Sequence, residues 1–178
     1  MASLVLTGDT SGQVTIAAPA VAGSNTITLA AQTGTLNVAG PAFSAYLGTN
    51  QTPTAAVLTK IQFNTEEFDT NNNYDNATNY RFTPTVAGYY QVNAFVLSSG
   101  GGGVYISLYK NGAEFKRGNG TFLPTGALGA NTGYGVSALI SCNGSTDYIE
   151  IYGYNSAGGV FTAGAANTYF QASLVRGA

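Results

Sequence analysis

The sequence predicts an all-β antiparallel sandwich preceded by a short β-rich arm, and three observations carry that reading. Apolar and polar residues alternate in short runs, the mark of strands with one buried face. Gly, Asn and Ser clusters bound those runs. All 12 Tyr and 9 Phe of the 178 residues lie at or after Phe43. Hydrophobic content is ordinary at 44 %, so one sizeable core is affordable, whereas charged residues make up only 8 % against about 25 % in an average domain.

Residues 1–42 hold no aromatic residue, and Asp9 is their only charge. Short alternating pieces run through Leu4-Val5-Leu6, Val14-Thr15-Ile16, Thr26-Ile27-Thr28-Leu29 and Thr35-Leu36-Asn37-Val38, separated by Gly-rich turns. Thr15-Ile16-Ala17-Ala18 is echoed by Thr28-Leu29-Ala30-Ala31. Strands so short, with Ala and Thr side chains, cannot build a core alone. Residues 1–40 therefore read as an arm that completes its packing on copies of itself or on a larger particle. Gly40-Pro41 marks its end, and residues 41–178 form the second domain.

From Phe43 onward strands follow one another. Val92–Leu97 leads into Ser98-Ser99 and Gly100–Gly103, expected to be the flexible tip of a hairpin. Val104-Tyr105-Ile106-Ser107-Leu108-Tyr109 alternates with Val104, Ile106 and Leu108 inward, and Asn111-Gly112 is a strong two-residue hairpin signal. Asp147–Tyr154 sets Ile149 and Ile151 against Tyr148, Glu150, Tyr152 and Tyr154. The closing strand, Thr168–Arg176, puts Phe170, Ala172 and Leu174 on one side.

Composition excludes several functions. The chain has no His and one Cys, so Ser-His-Asp and Cys-His catalysis, His-ligated zinc and an internal disulfide are ruled out. A net charge of −2 gives no electrostatic reason to bind nucleic acid. No apolar stretch approaches the roughly 20 residues needed to cross a bilayer. Met1-Ala2-Ser3-Leu4 opens without a basic residue before an apolar run, so no secretory signal is expected. The Asn-x-Ser/Thr sites at Asn50, Asn76, Asn119 and Asn143 then read as accidental.

Phe43-Ser44-Ala45, Ile61-Gln62-Phe63, Asn73-Tyr74-Asp75, Phe82-Thr83-Pro84-Thr85-Val86-Ala87-Gly88-Tyr89-Tyr90, Leu108-Tyr109-Lys110-Asn111-Gly112 and Tyr169-Phe170-Gln171-Ala172-Ser173-Leu174 form an ordered series. It resembles the globular head of the complement 1q family, a relative of the tumour-necrosis-factor jelly roll, over roughly residues 41–178. The resemblance implies a ten-stranded jelly roll in two sheets and a compact trimer. Secreted animal members follow a signal peptide and a collagen stalk, and no Gly-x-y repeat occurs in this sequence. Residues 6–29 resemble a segment of tailed-phage structural proteins that precedes receptor-binding or jelly-roll modules.

Four site readings follow. Asp69, Asn71, Asn73 and Asp75 present oxygens at alternating positions, as a calcium loop does. Tyr74 and Tyr80, however, stand where such a loop needs Gly and a bidentate Glu, so no metal is expected and a plain turn is the leading reading. Glu66, Glu67 and Asp69 crowd a surface turn and do not make a catalytic carboxylate pair. Tyr105, Tyr109, Tyr148, Tyr152 and Tyr154 line strand faces opposite the core; they are expected to fill a trimer interface, with sugar stacking and core packing as alternatives. Cys142 reads as a buried free thiol.

The expected protein is a non-enzymatic, cofactor-free homotrimer in a tailed-phage virion. Its arm, residues 1–40, would engage other virion proteins. Its head would project as a tail-fibre tip, baseplate attachment or capsid decoration open to host glycans. The alternative is a free bacterial complement-1q-like carbohydrate-binding protein or adhesin.

Overall fold

A computed structural model describes residues 3–7, 10–17, 40–100, 102–122 and 132–178. The chain divides between Gly34 and Thr35 into two units. In the first, β1 (Ser3–Thr7) and β2 (Gln13–Ala17) pair antiparallel, with Leu4 opposite Ile16 and Leu6 opposite Val14. The alternation predicted these two strands, and Leu4, Leu6 and Ile16 remain exposed. The other two alternating pieces of the arm, and the repeated Ala pair, lie outside the described residues.

The second unit is a sandwich of antiparallel strands. One sheet has five strands in the order β11 (Thr132–Asn143), β8 (Ala87–Ser98), β13 (Thr168–Gly177), β3 (Ala42–Tyr46) and β5 (Thr65–Asp69). The other has six: β10 (Ala113–Phe122), β9 (Gly103–Lys110), β12 (Ile149–Asn155), β7 (Arg81–Phe82) and β6 (Tyr74–Asp75), with β4 (Thr59–Lys60) also on β12. The last three of these span only two residues each. Among the described residues no helix is present. The chain changes sheet from β8 to β9, from β10 to β11, from β11 to β12 and from β12 to β13. Such repeated crossing makes a jelly roll rather than a meander.

Both sheets turn their alternate residues inward. Phe43 lies at the centre: its ring stacks on Tyr74 at 4.7 Å and Phe82 at 4.6 Å and meets Phe170 edge-on at 4.8 Å. The segment that most strongly suggested the family supplies structural positions. Phe82 and Tyr90 are fully buried, and the Tyr90 hydroxyl donates to the Val86 carbonyl at 2.6 Å. Gly88 is pressed so closely to β13 that a Cβ would come within 2.4 Å of the Arg176 carbonyl oxygen.

Asn111 and Gly112 form the expected two-residue turn, with φ of 54° and 77°, joining β9 to β10 in register. Positive φ at both positions matches the turn that the twist of paired strands favours. The glycine run differs from expectation. Gly100–Gly103 does not tip a hairpin, because β8 and β9 belong to different sheets; it carries the chain across the sandwich. Gly102 has φ of 104°, and a Cβ there would sit 2.2 Å from Ser156 Oγ, which accepts from the Gly103 amide. Two strands joined by a short Gly-rich link read as a hairpin in sequence, and only sheet membership separates the two cases. Cys142 is free and buried, and burial pushes its thiol up to about 11.

Candidate functional site

The tyrosines anticipated as an interface do share one surface, the outer face of the six-stranded sheet. Cross-strand register sets Tyr105 opposite Tyr154, and their rings stack at 4.9 Å and 18°. Tyr109 and Tyr152 meet at 4.2 Å. Cations sit against the remaining ring faces: Arg117 at 4.5 Å from Tyr105, Arg81 at 4.4 Å from Tyr148 and Lys60 at 5.9 Å from Tyr152. All five tyrosines are half-buried. Between them lie two buried polar residues, Ser107 and Glu150. Ser107 Oγ donates to Glu114 at 2.7 Å, and Glu114 also accepts from Arg117. Glu150 is paired with Lys60. Within one chain, then, each of the five rings already meets a neighbouring ring or cation.

The opposite surface, the outer face of the five-stranded sheet, went unnoticed in the sequence. Tyr89, Phe68, Leu139 and Val175 are exposed there, from 43 % to 57 %. Phe95 stacks on Tyr169 at 5.8 Å and covers Gly133, where a Cβ would strike its ring. Amides and hydroxyls occupy the middle: Gln91 Nε2 donates to Ser137 Oγ at 2.9 Å, and Ser137 donates to Asn93 Oδ1 at 2.8 Å. This centre is uncharged, and a cleft of about 210 Å³ opens between Phe68 and Gln171. The available signal was strands apolar on both faces, as in Tyr89-Tyr90, Leu139-Ile140 and Leu174-Val175.

Glu66, Glu67 and Asp69 do not lie on a turn, as expected, but on the edge strand β5, paired to β3. A bulge between Ser44 and Ala45 lets Glu67 accept from Ser44 Oγ at 2.5 Å. Asp69 ends β5 and Asp75 ends β6, with Asn71 and Asn73 in the loop between them, and all four side chains bond groups of the protein. Asp69 accepts from the amides of Asn71 and Tyr74. Asn71 Oδ1 accepts from Thr70 Oγ1. Asn73 Oδ1 accepts from the Thr85 amide and hydroxyl. Asp75 takes the amides of Ala77, Thr78 and Asn79 and the Asn79 side chain. Among the described residues no group of three or more His, Cys, Asp or Glu could hold a metal ion.

The hydrogen bond from the Thr78 amide leads those that hold the Asp75 carboxyl down at about 2. Because the unfolded value is about 3.9, this stabilisation is fully present above that pH and is lost as pH falls through the folded value. Acid unfolding of Asp75→Asn should therefore vary less with pH across that window than wild type, while the variant is less stable at neutrality. Thermal melts from pH 2 to 7 would check it; parallel curves would remove Asp75 from the acid response.

Similarity to known proteins agrees with this geometry at the level of fold. The protein has the jelly-roll fold of the complement 1q and tumour-necrosis-factor proteins. The globular domain of zebrafish complement 1qA matches at 18 % identity and TM-score 0.59, covering 78 % of this chain and 99 % of that one. Murine APRIL matches at 9 % identity and TM-score 0.60, over 77 % of this chain and 100 % of its own. The Eiger TNF from S. frugiperda matches at 8 % and 0.55, over 78 % and 95 %. No protein-family model matches the sequence, and no curated protein does.

Proposed function

We propose that the protein is a non-enzymatic homotrimer, a structural and attachment component of a tailed-phage virion. The observation that carries the assembly is the outer face of the five-stranded sheet, where Leu139, Tyr89, Phe68 and Val175 lie exposed around an uncharged, amide-rich centre. Exposed apolar residues of this density mark an association surface. A jelly roll of the complement 1q and tumour-necrosis-factor type suits a threefold arrangement. The virion setting rests on the resemblance of residues 6–29 to phage structural segments. In this reading residues 1–40 anchor the chain to other virion proteins and the head projects from the particle.

Light scattering on the full chain tests the assembly. Wild type should weigh three times the 18.2 kDa monomer, and Leu139→Arg should be monomeric with an unchanged β spectrum. A monomeric wild type overturns the trimer. If Leu139→Arg stays trimeric while Tyr105→Lys dissociates, the tyrosine ladder is the interface. Incorporation of a chain lacking residues 1–40 into virions would overturn the anchoring role and favour a free bacterial carbohydrate-binding protein or adhesin.

A further inference from the structure

A second cleft, of about 430 Å³, opens beside the Asp69–Asp75 loop, within the roughly 300–1,000 Å³ range of small-ligand sites. Five of the side chains lining it, Glu66, Asn72, Asn76, Arg81 and Thr83, donate or accept no side-chain hydrogen bond in the described chain. We propose that this cleft binds a neutral saccharide, with Asn72, Asn76 and Thr83 pairing with vicinal hydroxyls between Arg81 on one side and Glu66 on the other.

The chemistry of the lining selects that class. Amides and hydroxyls both donate and accept, Arg only donates and an ionised Glu only accepts. Adjacent sugar hydroxyls, each donor and acceptor at once, satisfy such a mixed set. An anionic ligand would face the carboxylates of Glu66 and Asp75, a cationic one would face Arg81, and an apolar one would bury polar groups without partners.

The walls are fixed before any ligand arrives. Asp75 is tied to three backbone amides, Asn73 bridges to Thr85, and Arg81 rests on the Tyr148 ring at 4.4 Å. Asn72 in the lining has φ of 52°, and Tyr80, between the lining residues Asn79 and Arg81, has φ of 50°. A bulky residue at positive φ is an outlier that surrounding structure must hold in place. Prior ordering of this kind reduces the entropy lost on binding. Glu66 is half-buried, and its carboxyl is raised by burial and then by Asp69.

The biological partner rests on the attachment role proposed above, but the test does not depend on assembly. Saturation-transfer NMR and calorimetry on the full chain would use the methyl glycosides of glucose, galactose, mannose, rhamnose and N-acetylglucosamine, with methyl glucuronide as the charged control. At least one neutral glycoside should bind. Asn72→Gly combined with Asn76→Ala should weaken it by about tenfold or more, since each removes a polar partner. Glycine tolerates the positive φ at position 72, so mass by light scattering should be unchanged in the variant. Absence of binding by every neutral glycoside, equal affinity in the variant, or binding of the glucuronide alone would each overturn the proposal.

Discussion

Phe43→Ala should lower the unfolding free energy of the head by about 3–5 kcal/mol, the range for deleting a buried aromatic ring. The site justifies the upper part of that range. Phe43 is 1 % exposed, and its ring is held among Tyr74, Phe82 and Phe170. These come from β6, β7 and β13, so the ring joins both sheets. Three aromatic neighbours fixed by their own strands cannot collapse into the space, and the cavity persists. Domain stabilities are about 5–15 kcal/mol, so the variant would be left marginal. Urea unfolding at one protein concentration would measure the loss, with Phe43→Leu as a milder control. A loss below about 1 kcal/mol would mean that the core relaxes freely around the site.

Lys60→Met should also destabilise the head by about 3 kcal/mol, because it leaves a buried charge without its partner. Glu150 has 4 % of its side chain exposed and is paired with Lys60, whose ammonium also donates to the Asn79 carbonyl at 3.2 Å. Lys60 comes from the two-residue strand β4, next to Tyr152 on β12. The pair therefore pins a strand too short to hold itself. Glu150→Gln added to Lys60→Met should recover much of the loss, since the buried group is then neutral. A double-mutant cycle by thermal and urea unfolding separates the cases. Additive losses would show that the two side chains do not act as a unit.

The family-like residues were readable because they are core positions. Phe43, Phe82, Tyr90 and Phe170 must be large and apolar to fill the space between sheets, and their spacing follows from strand periodicity. The Asn111-Gly112 turn was readable for a similarly local reason, since both positions require positive φ. Glu66 and Glu67 misled because acidic residues in a row suggest a turn, whereas an edge strand tolerates them on its open side. The five tyrosines were correctly placed opposite the core, yet nothing in their spacing foretold that Tyr105 would stack on Tyr154 and Tyr109 on Tyr152.

The sequence by itself determined the all-β class and the inward faces of β9, β12 and β13, because alternation and turn chemistry act over a few residues. Tertiary structure alone decided which strands share a sheet, and so turned Gly100–Gly103 from a hairpin tip into a crossing. It alone brought Glu66, Asn76 and Arg81 around one cleft and spread Tyr89, Leu139 and Val175 over one face. Those juxtapositions depend on pairing between distant segments, and local periodicity carries no information about partner or register across such distances.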